Sequence, residues 1–158
     1  MKLNKKGFTL VELLAVIAIL AILLLLVTPN VLNMFTNGRK DAFITNVQSV
    51  WRTATEQAVA AQMSASDTDK RPPYCKNCGA TTSPATGNLL TTTSNNANYY
   101  VSFDTNSNVN IIAVSDDNYC YASTGTPNIN ITRDQLNEGK KISCTKSGTT
   151  VTCSCVNK

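Results

Sequence analysis

Residues 8 to 27 read FTLVELLAVIAILAILLLLV, twenty consecutive positions with a single ionisable side chain, Glu12. At about 1.5 Å of rise per residue such a helix is about 30 Å long, the thickness of a bilayer's hydrocarbon core. The run therefore predicts a membrane-spanning helix and leaves roughly a hundred residues for one small soluble domain. Lys2, Lys5 and Lys6 precede the run and charge is scarce just after it. That asymmetry places the N-terminus in the cytoplasm and the bulk of the chain outside. A secretory signal would end its apolar stretch with small residues at the cut. Here the small residue next to a plausible cut is Gly7, ahead of the run. The run is thus expected to be retained, and residues 1–7, MKLNKKG, to be a basic leader that is cleaved.

Charge and composition narrow the function classes. The formal charge of +4 comes from 14 basic and 10 acidic residues. Without the three leader lysines, 11 basic residues face 10 acidic ones, a near balance that does not describe a whole-surface nucleic-acid binder. Histidine is absent, which removes the commonest general base and the usual partner of a nucleophilic serine or cysteine. No remaining nucleophile has a base beside it in the sequence, so an enzyme is not expected.

Glu12 is the anomaly of the apolar run. A carboxylate in the membrane interior costs about 2.5–3.5 kcal/mol on insertion scales and less near the interface, so it needs a partner. Cleavage between Gly7 and Phe8 would create one. The new α-amino group lies four residues before Glu12, one turn away on the same helix face. The pair could close within one chain or between two chains staggered by about a turn. In the second case, docking at the wrong height leaves both charges bare, so the pair tests register.

The string K-G-F-T-L-V-E, followed by an apolar helix and Pro29, closely resembles the class III signal of type IV prepilins and type II secretion pseudopilins. The resemblance covers about thirty residues. It implies that a prepilin peptidase cuts after Gly7 and methylates Phe8, that Glu12 serves assembly, and that the helix can loosen at Pro29. Its implied partners are identical or homologous pilin subunits, the prepilin peptidase, the inner-membrane assembly machinery and the membrane itself. It names no DNA or host receptor.

Beyond Pro29, whose ring removes one helix hydrogen bond, the apolar spacing becomes one-sided: Phe43, Val47, Val50, Trp51, Ala54, Ala58. This is an amphipathic pattern. One long helix is expected over residues 8–64, with residues 8–27 in membrane or filament core and weak points at Pro29 and Gly38. Trp51 reads as core rather than as a ligand platform. From Ala65 to Asn98 the composition turns to Ser, Thr, Asn, Asp and Pro, predicting a long connection with little regular structure. Strands are predicted at 99–103, 109–114 and 119–122, an antiparallel meander. Thr132 and Gln135 at capping-box spacing, with Gly139 as a stop, predict a short helix near 133–138. A terminal hairpin follows at 140–145 and 149–156. The fold class is α+β: a long N-terminal helix on a small antiparallel sheet, residues 65–158 forming an extracellular head.

Cys75, Cys78, Cys120, Cys144, Cys153 and Cys155 all fall in that head, where thiols oxidise. Y-C-K-N-C-G resembles half of a zinc ribbon, but the second C-x-x-C is missing, and disulfides are favoured over a metal or any other cofactor. Fifteen complete pairings exist for six cysteines. Cys153 and Cys155 in one strand lie about 6.5–7 Å apart, beyond disulfide reach, so each should bond elsewhere. The reading favours Cys75 with Cys78, and Cys144 with Cys153 or Cys155. Asp116 and Asp117 lack the spaced oxygens of a calcium loop and read as turn residues. The tyrosines at 99, 100, 119 and 121 read as strand core rather than stacking surfaces for DNA or glycans.

Three functions fit. The first is a major or minor pilin of a type IV pilus serving adhesion, motility or DNA uptake. The second is a pseudopilin of a secretion or competence system. The third, of another class, is a membrane-anchored extracellular zinc or redox module.

Overall fold

A computed structural model describes residues 7–63, 71–79, 86–91, 97–125 and 127–158. Residues 1–6 of the leader, the predicted helix end at Ser64 and much of the predicted 65–98 connection lie outside the described residues. A single α-helix, α1, spans Leu10–Met63 and is helical through both Pro29 and Gly38. Seven strands follow: β1 (Tyr74–Lys76), β2 (Asn98–Phe103), β3 (Val109–Ser115), β4 (Tyr119–Thr124), β5 (Asn137–Glu138), β6 (Lys140–Ser147) and β7 (Thr150–Asn157). The chain divides into two compact units, Met1–Arg39 and Lys40–Lys158.

In the first unit the apolar side chains of α1 face outward on every side. Among the described residues, every buried apolar side chain lies at Phe43 or later. This is the pattern of a helix whose solvent is apolar.

The second unit is layered. Strands β1 to β5 form one antiparallel sheet in sequence order, and β6 pairs with β7 as a separate hairpin. Period-2 alternation along each strand divides the side chains between two cores. Tyr99 and Val101, Ile112 and Val114, and Tyr119 and Tyr121 pack with Phe43, Val47, Val50, Ala54 and Ala58 of α1. Their neighbours Tyr100, Ile111, Ala113 and Cys120 pack instead with Ile142 and Cys144 of the hairpin. Because both faces are covered, β3 reads as a nearly unbroken apolar run, VNIIAV, rather than as an apolar/polar alternation.

Two sequence expectations are corrected. The short helix near 133–138 is a 3-10 turn at Arg133–Gln135, after which Asn137 and Glu138 pair with Cys120 and Tyr119. An unpaired sheet edge next to a three-residue turn takes up the backbone that a longer helix would have used. Gln135 still does half of the predicted capping job, its Oε1 accepting from the Thr132 N–H at 2.9 Å. The connection between helix and sheet also contains structure, since β1 adds a strand beside β2 with Cys75 opposite Tyr100. Its neighbour segment is tied down too: the Asn88 N–H donates to Pro73 O, and Cys75 N–H donates to Asn88 O, each at 2.8 Å. The side chain of buried Gln57 donates to Leu89 O at 3.1 Å and accepts from Thr91 N–H at 2.9 Å. A three-residue strand held by tertiary hydrogen bonds leaves too short a periodic trace to be read in sequence.

Candidate functional site

The site predicted from sequence is the start of α1. Gly7, Phe8 and Thr9 are exposed and non-helical, and the helix begins at Leu10. A Cβ built on Gly7 would meet nothing within 4 Å. The fold itself therefore places no steric demand for glycine there. Phe8 is 91% exposed.

Glu12 does not stand alone. Its Oε2 accepts from the Thr9 N–H at 2.8 Å and from the Thr9 hydroxyl at 2.9 Å, while Thr9 Oγ1 accepts from the Glu12 N–H at 3.3 Å. This is a capping box, which satisfies backbone donors that the first helical turn cannot pair internally. The T-x-x-E spacing that predicts it is present in the sequence, and reading Glu12 only against a freed amine missed Thr9. Both bonds land on Oε2; among the described residues Oε1 has no partner. Further along, the Thr28 hydroxyl donates to Leu24 O at 2.5 Å, so this polar group is satisfied within the apolar helix.

The other singled-out residues serve the head. Trp51 is half-buried against the helix-side core, and the four tyrosines at 99, 100, 119 and 121 are buried. Asp116 accepts from the N–H groups of Asn118 and Tyr119, each at 2.7 Å, as a turn residue does. The six cysteines form three disulfides: Cys75 with Cys78, Cys120 with Cys155, and Cys144 with Cys153. All six belong to the hairpin-side core. Cys144 and Cys153 are cross-strand partners within the hairpin, whereas Cys120 and Cys155 join the sheet to it.

Sequence reading also missed two ion pairs at the start of the second unit. Lys40 Nζ lies 2.7 Å from Glu138, and Arg133 makes a two-pronged contact with Asp41, both bonds 2.6 Å. The Arg133 hydrogen bonds hold the Asp41 carboxyl below its ordinary range, and the bond to Glu138 raises Lys40. These partners are 92 and 98 positions apart in the chain, so no local spacing announces them.

Residues 2–28 match the family described as the prokaryotic N-terminal methylation motif. Neither curated proteins nor solved structures give a match to the chain. Among the described residues α1 is the one helix long and apolar enough to cross a membrane. Together the motif and this helix imply membrane anchoring, processing by a prepilin peptidase and assembly with other pilin-type subunits. The residues around Gly7, Phe8 and Glu12 are thus the class III signal of type IV pilins and pseudopilins, a signal that points to a structural subunit rather than an enzyme.

Proposed function

We propose that the chain is the precursor of a structural subunit of a type IV pilus, cut between Gly7 and Phe8, methylated on Phe8 and packed into an extracellular filament through residues 8–27. The carrying observation is an apolar helix segment exposed on every side, whose lone carboxylate sits within a turn of the motif's cleavage point. Such a surface leaves water only in a membrane or against copies of itself. Before assembly the bilayer covers it; afterwards neighbouring helices do.

Glu12 has two tasks in this reading. Oε2 closes the first turn through Thr9, and Oε1 is the oxygen open to the amine that cleavage creates on a neighbouring subunit. A subunit docked a turn too high or too low leaves that amine and Glu12 unmatched in an apolar bundle. The head, residues 65–158, carries the outward surface of the filament.

Intact mass of the protein from cells tests the processing step. The expected mass lacks residues 1–7 and carries one added methyl group; an intact leader on functional protein overturns the reading. Gly7→Ala should accumulate precursor without disturbing the fold, because the added methyl meets no atom. Electron microscopy with an antibody to the head then separates long labelled fibres, as expected of a pilin, from their absence, as expected of a pseudopilin.

A further inference from the structure

Among the described residues the two sheets have four strand edges, and three of them are short or covered. β1 spans three residues, and its Cys75 N–H donates to Asn88 O. β5 is two residues long. On β6 the Cys144 N–H donates to Cys78 O at 2.8 Å and the Ile142 N–H donates to Ser115 Oγ at 3.2 Å. The fourth edge is the outer side of β7, a strand of eight residues.

The β6 bonds also fix which groups of β7 point outward. An N–H that leaves the hairpin belongs to a non-hydrogen-bonded pair, and the residue opposite then turns its own N–H and C=O away from β6 as well. Ile142 lies opposite Cys155 and Cys144 opposite Cys153, the latter two with Cα atoms 4.1 Å apart. By period-2 alternation the N–H and C=O groups of Val151, Cys153, Cys155 and Asn157 leave the free side of β7. Among the described residues no hydrogen bond meets them. Charged residues, proline and bulges are what ordinarily blunt such an edge. The β7 sequence TVTCSCVN has no charge and no proline, and its register with β6 is unbroken. Disulfides from Cys153 to Cys144 and from Cys155 to Cys120 hold the strand in place before any partner arrives.

We propose that β7 is a self-association edge: a second copy of this chain adds its own β7, antiparallel, about a twofold axis at Ser154, and the two hairpins become one four-stranded sheet. With Ser154 opposite Ser154, Val151 meets Asn157 and Cys153 meets Cys155, so every outward backbone group of both strands finds a partner. Thr152 then meets Val156, and Lys158 meets Thr150 rather than its own copy. The β6 lysines of the two copies stand three strand spacings apart, about 14 Å, beyond the screening length of about 8 Å at physiological salt. A foreign strand is selected by pockets for its alternate side chains. The outer face of β7 offers only Thr150, Thr152, Ser154 and half-buried Val156. The contact is a property of the head and does not rest on the filament reading.

The test is site-specific cross-linking of the full chain in detergent under mild oxidation, with peptide mass mapping to verify that the three native disulfides remain. Ser154→Cys should give a disulfide-linked dimer. Ser143→Cys, opposite Ser154 on the same outer face but on β6, should stay monomeric. Thr152→Cys and Val156→Cys chains, each monomeric alone, should cross-link when mixed, which checks both direction and register. Adding Asn157→Pro, which removes one outward N–H at an exposed position, should lower the Ser154→Cys yield. Equal yields from Ser143→Cys and Ser154→Cys would show chance collision or association through α1 alone and overturn the proposal. A Ser154→Cys chain that stays monomeric also overturns it and leaves the edge to a strand of another protein.

Discussion

The two halves of α1 are one continuous helix and two different physical problems. In the first, Leu20 and Leu24 are more than half exposed, and so are their apolar neighbours. In the second, Phe43, Val47, Val50, Ala54 and Ala58 are buried against the sheet while Arg52 and Glu56 remain in water. What differs is the partner. The half with a partner in its own chain shows a one-sided apolar stripe, and the half without one is apolar all round, the pattern of a helix in an apolar solvent. Substitutions should therefore separate assembly from folding along a single element.

The sharpest break is Glu12→Ala. Cleavage and the melting curve of the head should be unchanged while filaments fall to background in electron micrographs. Ordinary fibres from this variant would remove the charge-matching mechanism. Next comes Phe43→Ala, expected to cost about 3–5 kcal/mol in denaturant unfolding of the detergent-solubilised chain, as for other buried aromatics. Leu20→Ala, in the other half, should cost the head nothing. Equal losses from the two would erase the distinction between the halves.

The hairpin side of the sheet permits a graded test. Replacing Cys120 and Cys155 with serine opens the longest disulfide loop and should cost about 4 kcal/mol, against about 2 kcal/mol for Cys75 with Cys78, on the chain-entropy account. Unfolding midpoints of the two double variants give the order directly. The smallest effect belongs to the ion pairs at the start of the second unit. The Arg133 contact lowers the Asp41 pKa, so its stabilisation is present above the ordinary aspartate value of about 3.9 and fades as pH falls through the lower folded value. The difference in melting temperature between the parent chain and Arg133→Ala should accordingly vanish on acidification, and it should be small at neutral pH because the pair is exposed.

Much of this was legible in the sequence because it rests on short-range periodicity. The apolar run, the stripe from Phe43 to Ala58, the meander strands and the terminal hairpin each repeat their signal over several residues. The strand limits differ from the predicted ones by at most two residues, as fraying ends do. Less legible were features with only two or three residues of signal. β1 is three residues held by backbone bonds to a remote segment, and β5 is two residues captured by a sheet edge. The capping box at Thr9 is legible in the T-x-x-E spacing, in which a neighbouring hydroxyl rather than a charge meets Glu12.

By itself the sequence determined where the chain is apolar on all sides, where it is apolar on one, and that a class III signal precedes both; composition and spacing carry those facts without any contact. Only the tertiary structure decided that the sheet has two covered faces, that Cys120 reaches Cys155 across them, and that Asp41 and Lys40 meet Arg133 and Glu138. Each of those depends on residues dozens of positions apart being brought within a few ångströms. Such pairings are chosen by the packing of whole layers, and no local pattern encodes them.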